Sequence, residues 1–317
     1  MTERILCLGE ALIDAVERDG QPPVEHIGGS ILNVAIGLSQ LGHRASLRSW
    51  WGKDARGERI AAAVREADVE IEPGSDGADF TTVAHAKLDD AGKASYTFDV
   101  QWAVPPLTDL DSVAHIHTGC FSATMEPGGS VVVETMRQVR DNGTVSYDPN
   151  VRPSLMGTPE QVVPRVEELV ALSDVVKASD EDLEWLYPDT PVEDVMRRWL
   201  KLGPSVMVTT RGPWGAYAMI RHSRNMLVVD PVNVSVSDTV GAGDSFMAGL
   251  ISGLVHAGLL GSTGARERLL DADWSDIQPA LHRAVMTSAI TVSKDGAYGP
   301  TMDEIRSVQA IDPTLAD

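Results

Sequence analysis

The residues best suited to chemistry lie in the run Asp238-Thr239-Val240-Gly241-Ala242-Gly243-Asp244-Ser245-Phe246. Gly241, Ala242 and Gly243 lead directly into an apolar stretch that reads as a helix. Small residues there expose backbone N–H groups at the positive end of the helix, where a phosphate can approach closely. Asp244 then sets a carboxylate beside that anion hole. For simple phosphate binding this would be counterproductive, because the two negative groups repel. It makes sense if the carboxylate takes a proton from a hydroxyl that attacks phosphorus. The same residues also describe a Gly-rich turn whose Asp caps a helix, and composition alone does not choose between the two.

Short Val- and Ile-rich runs recur along the chain and read as buried parallel strands: ILCLG from Ile5, VAHIHTG from Val113, TVSYD from Thr144, DVVKAS from Asp174 and VMVTT from Val206. Amphipathic stretches separate them. In ILNVAIGLSQLG, Leu32, Ala35, Ile36 and Ser39 share one helical face, Ser30 is placed to cap the start and Gly42 to close the end. Alternating strand and helix predicts a three-layer α/β domain. Two segments, 11–28 and 79–104, break the alternation and read as strands and turns, the second around Asp89-Asp90-Ala91-Gly92. They are expected to form a small sheet beside the main body, either a lid or an ordinary surface hairpin. Asp14, Asp148, Asp182 and Thr210 fall at or just beyond the carboxyl ends of predicted strands, the edge where open α/β sheets bind ligands. Trp50 and Trp51 end another strand, and core packing suits them better than the paving of a ligand pocket.

Bulk properties narrow the function classes. With 317 residues and a formal net charge of −20, the chain has length for a substantial core and a field that repels nucleic-acid backbones and anionic membranes. Cys7 and Cys120 stand far apart with no C-x-x-C spacing, which speaks against disulfides and structural zinc and fits a reducing compartment. The start, MTERILCLGEALID, is acidic around a short apolar run, unlike a signal peptide. Ser245 to Ala265 carries no Asp, Glu, Lys or Arg and is long enough to span a bilayer. Its glycines and His256 favour a buried helix instead. Neither a Walker G-x-x-x-x-G-K-[ST] loop nor a Rossmann G-x-G-x-x-G is present.

DTVGAGDSF resembles the C-terminal motif of the PfkB, or ribokinase-like, carbohydrate kinases, and GGSILNVAIGLSQLG from Gly28 resembles their N-terminal motif, in the expected order and at the expected ends. The resemblance implies a single ribokinase-like domain over 1–317, a three-layer αβα sandwich with a small β-sheet lid drawn from 11–28 and 79–104. It implies Asp244 as catalytic base, with Gly241, Ala242 and Gly243 stabilising charge on the transferred group. Asp14, Gly28, Gly29 and Asn33 would bind sugar hydroxyls. A surface turn, a plain loop and a first-turn helix residue are the plainer readings of Asp14, the glycine pair and Asn33. Asp148-Pro149-Asn150-Val151-Arg152-Pro153 is similar to the D-x-N-x-R segment of fructokinases and 2-keto-3-deoxygluconate kinases, with Arg152 as a forked donor to substrate or phosphate, or else a solvated Arg on a rigid connection.

On the nucleotide side, Ser179 and Asp182 stand where many relatives carry N-x-x-E. Asp182 would organise Mg2+, its shorter reach pointing to contact through water. Thr210 and Gly212 match the family's T-x-G beside the ATP phosphates, and Gly296 and Ala297 its G-A-x-x-x-P segment near the adenine. Asp238, with the Gly296 region, would hold a monovalent cation such as K+. The implied activity is transfer of the γ-phosphoryl group of ATP to a sugar hydroxyl, fructose first. The alternatives are 2-keto-3-deoxygluconate, a nucleoside such as adenosine, or a sugar-binding regulator without catalysis. A nicotinamide-dependent oxidoreductase lacks its fingerprint. A cytoplasmic homodimer paired through the lid, with no nucleic-acid or membrane partner, completes the expectation.

Overall fold

The computed structural model describes residues 4–17, 22–88 and 94–315. In chain order the strands are β1 (Arg4–Leu8), β2 (Leu12–Glu17), β3 (Val24–Gly28), β4 (Arg44–Arg48), β5 (Glu70–Ile71), β6 (Val83–Leu88), β7 (Ala94–Asp99), β8 (Val113–Gly119), β9 (Thr144–Asp148), β10 (Val175–Ser179), β11 (Val206–Thr210), β12 (Ala216–Ile220) and β13 (Met226–Val229). The helices are α1 (Ser30–Gln40), α2 (Ala55–Glu66), α3 (Gly128–Asn142), α4 (Pro153–Met156), α5 (Pro159–Leu172), α6 (Asp180–Leu186), α7 (Val192–Leu202), α8 (Ala242–His256), α9 (Thr263–Asp271), α10 (Trp274–Val292) and α11 (Met302–Ile311).

Nine strands form one sheet in the order β13-β12-β11-β10-β9-β8-β1-β4-β5. All its pairs are parallel except β11 with β12 and β12 with β13. Alternation along β1 shows why both faces need helices: Ile5 and Cys7 enter the core under α1, α2, α8 and α10, whereas Leu6 and Leu8 enter the one under α3, α5 and α7. This is the three-layer α/β/α arrangement expected from the sequence, and each of the five strands read there is present.

α8 is buried from Asp244 to Leu254, between α1 and α10. Its uncharged sequence is explained by that position. Gly253 lets α10 approach so closely that a Cβ would meet Ala280 Cα at 2.5 Å, and Gly37 of α1 does the same for Ala248 Cβ at 2.8 Å. No helix among the described residues is long and apolar enough to cross a membrane.

A smaller sheet, β3-β2-β6-β7, uses the two segments that broke the alternation. One edge is tied to the body where Glu25 of β3 takes Arg56 and Arg59 of α2 at 2.5 Å each. The Asp89-Asp90-Ala91-Gly92 turn and residues 18–21 lie outside the described residues.

Two local expectations change. Ser30 does not cap α1: Gly29 is the N-cap, at φ 117°, and Ser30 is the first helical residue. The buried stripe of α1 runs through Ile31, Leu32, Val34, Ala35 and Leu38, leaving Ile36 and Ser39 half-buried, because the helix packs on α8 as well as on the sheet. Gly42 closes it as expected, at φ 85°, with Gly42 N–H donating to Ser39 O at 2.9 Å and His43 N–H to Leu38 O at 3.0 Å. Trp51 is core, 2% exposed, and Trp50 packs against the core under α3 and α5; neither lines the cleft described next.

Candidate active site

A cleft of about 1120 Å³ opens between the carboxyl edge of the large sheet and the small sheet. It gathers Asp14, Gly28, Gly29, Asn33, Arg152, Asp238, Gly241, Ala242, Gly243, Asp244, Gly296 and Ala297. Ser179, Asp182, Thr210 and Gly212 do not line it. They sit further along the same edge, with Ser179 and Thr210 paired in register at the ends of β10 and β11.

At the centre, Gly241 adopts φ 76° and turns the chain into α8. This left-handed geometry suits glycine, and a Cβ there would also strike Ala297 Cβ at 2.7 Å. The amides of Gly243 and Asp244, in the first turn of a fifteen-residue helix, have no partner within it and stand at its positive end. Asp238 pins the turn: its carboxylate accepts from Val240 N and Gly296 N, both at 3.0 Å, and those amides hold its carboxyl below the usual range.

Asp244 is 8% exposed. Its Oδ1 accepts from Ser30 Oγ at 2.7 Å and its Oδ2 from Asn33 Nδ2 at 2.8 Å. Across the cleft, Asp14 lies within β2 of the small sheet, opposite His26, in the segment that was read from sequence as part of that sheet. Gly28 leaves room for it, since a Cβ at that position would overlap Asp14 Oδ2. Burial raises the Asp14 carboxyl, against the pull of Arg152 and His26. Arg152 Nη1 donates to Asn150 Oδ1 at 2.8 Å, to Val151 O at 3.0 Å and to Asn150 O at 3.1 Å.

Asp182 is spent on the backbone. Its Oδ2 accepts from Ser179 N at 2.8 Å in a capping box that starts α6, and its Oδ1 from Val151 N at 2.7 Å. It thereby fixes the loop that carries Arg152. Gly212, at φ 51°, opens a short turn after β11.

Three residues of the site were not singled out from sequence. Glu10, at the floor, accepts from Ser30 N at 3.0 Å and Ser122 Oγ at 2.8 Å, and burial pushes its carboxyl up to about 7 despite Ser122 and Arg152. Ser30 was read as a cap. Lys177 is buried under Gly243, its Nζ 3.1 Å from the place a Cβ there would occupy, and is paired with Asp148. A lysine inside the apolar run of β10 was the available signal for it, because a buried strand admits a cation only against a partner.

This arrangement can fix a phosphate at α8 and deprotonate a hydroxyl held by Asp14 and Asn33. Comparisons with known proteins identify the family. The signature described as pfkB family carbohydrate kinase matches residues 2–304. The fructokinase of Rhizobium leguminosarum bv. trifolii is 32% identical over 269 residues, 81% of each chain. Among solved structures, the ATP-bound fructokinase of Xylella fastidiosa superposes with a TM-score of 0.83 at 24% identity, over 99% of this chain and 100% of that one. A double mutant of the Vibrio cholerae fructokinase with fructose, ADP and potassium ion superposes with a TM-score of 0.77 at 23% identity, over 96% of this chain and 98% of that one. The chain therefore belongs to the pfkB family of carbohydrate kinases and is an ATP-dependent sugar kinase.

Proposed function

We propose that this kinase phosphorylates fructose to fructose 6-phosphate. The observation that carries this reading is the placement of Asp244 at the start of α8, facing the same cleft as Asp14, Asn33 and Arg152. With the γ-phosphate against the Gly241-Ala242-Gly243 turn, the hydroxyl oxygen bonds to phosphorus as the bond to the ADP oxygen breaks. The hydroxyl proton goes to Asp244.

Charge supports a neutral acceptor. The cleft wall carries Glu10, Asp14, Asp238, Asp244 and Asp295 against Arg152 and His26, so a sugar acid such as 2-keto-3-deoxygluconate would add a carboxylate to an already acidic surface. The intact base argues against a regulator without catalysis. A nucleoside acceptor stays in view because Phe98 and Phe121 also line the cleft and offer stacking faces. An ADP-release assay over fructose, 2-keto-3-deoxygluconate, ribose and adenosine tests the choice. We expect fructose to give the highest kcat/KM, and adenosine as the best acceptor would overturn the fructose reading.

The remaining parts are proposals of the same kind. Ser179, Thr210 and Gly212 would meet the nucleotide phosphates, and Gly296 and Ala297 the adenine side. Among the described residues no cluster of three His, Cys, Asp or Glu side chains is built to hold a metal. Mg2+ would therefore come with the nucleotide, and Asp182, its oxygens held by amides, would reach it through water. Asp238 would face a potassium ion, and equal rates in sodium, potassium and tetramethylammonium buffers would exclude that. We take residues 1–317 as one kinase domain whose small sheet is a lid over the sugar. Pairing through the apolar face of that sheet would give a homodimer, and the expected location is the cytoplasm. A monomer mass by light scattering at micromolar concentration would contradict the pairing.

A further inference from the structure

Ser30 sits where α1 begins, yet its hydroxyl turns away from the helix's own amides and meets Asp244 Oδ1 at 2.7 Å. That hydroxyl also accepts from Asn150 Nδ2 at 2.8 Å, and Asn150 Oδ1 accepts from Arg152 Nη1 at 2.8 Å. The direction of every link is fixed by chemistry. A guanidinium only donates, so the Asn150 oxygen faces Arg152 and its amide faces Ser30. Ser30, having accepted, gives its one proton to the carboxylate.

Asn150 is held at φ 35°, a region L-residues seldom occupy and one that persists where surrounding structure demands it. Its N–H is tied to Asp148 Oδ1 at 3.2 Å, so backbone and side chain are both committed to this pose.

We propose that Ser30 is a positioning residue for Asp244, and that the chain Arg152, Asn150, Ser30, Asp244 couples the aim of the base to the cation on the sugar side of the cleft. The proposal rests on the reading of Asp244 as base. Each carboxylate oxygen has more than one lone-pair direction. With Ser30 on Oδ1 and Asn33 on Oδ2, the group cannot swing about its Cβ–Cγ bond, and the free lone pairs keep fixed directions toward the cleft. Without Ser30 it pivots on Asn33 alone, and the alignment that makes proton transfer fast is lost. Arg152, anchored to the same asparagine, links that alignment to whatever engages its guanidinium.

The test is a kinetic cycle with fructose and ATP on the full chain. Ser30→Ala and Asn150→Gly, the latter chosen because glycine accepts the positive φ, are each expected to lower kcat roughly ten- to a hundredfold, the size of one hydrogen bond to a charged group. KM for ATP should stay within about twofold, as a uniform-binding role would not allow. If the two act through one chain, the double variant falls little below the weaker single one. Placed on Asp244→Asn, Ser30→Ala should change kcat by less than about twofold, because no basic carboxylate remains to aim. Wild-type kcat in Ser30→Ala, losses that multiply in the double variant, or an undiminished Ser30→Ala effect on Asp244→Asn would each overturn the proposal. Near-normal kcat in Asp244→Asn alone would overturn the base reading instead. If Ser30→Ala does not fold, Asn150→Gly probes the same chain from its other end.

Discussion

Lys177 Nζ lies 2.8 Å from Asp148 Oδ2, with both side chains 5% exposed or less. Burial alone would lower the Lys177 ammonium, but Asp148, Asp182 and Asp244 outweigh it and raise it. At Asp148 burial dominates and raises the carboxyl, against Lys177. The pair stands beneath the turn that starts α8, so a positive charge is stored behind Gly243 with its compensating carboxylate beside it.

Removing one partner of such a pair leaves a buried charge uncompensated, at a cost of about 3–5 kcal/mol. Lys177→Met is therefore expected to be destabilised by that order in urea unfolding, and Lys177→Met with Asp148→Asn to recover a large part of the loss. A single variant within about 1 kcal/mol of wild type would show that the pair contributes no more than a surface one.

Glu10 provides a pH signature. Its native carboxyl titrates at about 7 against an ordinary value of 4.5, so the folded state favours the protonated form. The stability this contributes is complete below the ordinary value and is lost as pH rises through the native one. Glu10→Gln keeps an acceptor for Ser30 N and does not titrate. Its stability relative to wild type should climb between those two pH values, by on the order of 3 kcal/mol in total, and then level off. Melting curves of the two proteins that stay parallel across this range would contradict the assignment.

How much of this was legible in the sequence depended on distance along the chain. The Gly241-Ala242-Gly243-Asp244 turn is local: glycines, a helix start and a carboxylate sit within four residues, and its geometry followed. Five of the nine strands of the large sheet were readable because burial on both faces leaves short, largely apolar runs, whereas β5, β12 and β13 were not singled out. Ser30 was misread because its partner, Asp244, is 214 residues away, and nearby sequence offered only a helix cap. Asp14 was identified by type, and its segment was read as part of the small sheet, but only strand pairing with β3 and β6 fixes where it points. Glu10 gave a local sign only in being an acid directly after a buried strand.

The Arg152 guanidinium pulls down the carboxyls of both Glu10 and Asp14 against the burial that raises them. Arg152→Ala is expected to raise KM for fructose at least tenfold, the loss of about 1.4 kcal/mol, while KM for ATP changes less than about threefold. Initial-rate measurements with each substrate varied separate the two, and equal effects on both would place Arg152 on the transferred phosphate instead.

The central claim is that Asp244 takes the hydroxyl proton. Asp244→Asn preserves shape and can still meet Ser30 and Asn33, but it removes the basic site. The most direct test is the steady-state kcat of this variant with fructose and ATP, together with its KM for ATP and its melting temperature. We expect kcat to fall on the order of 10²–10⁴-fold, the range of a positioned general base, with KM for ATP nearly unchanged. A folded Asp244→Asn protein that keeps near-normal kcat would contradict the mechanism.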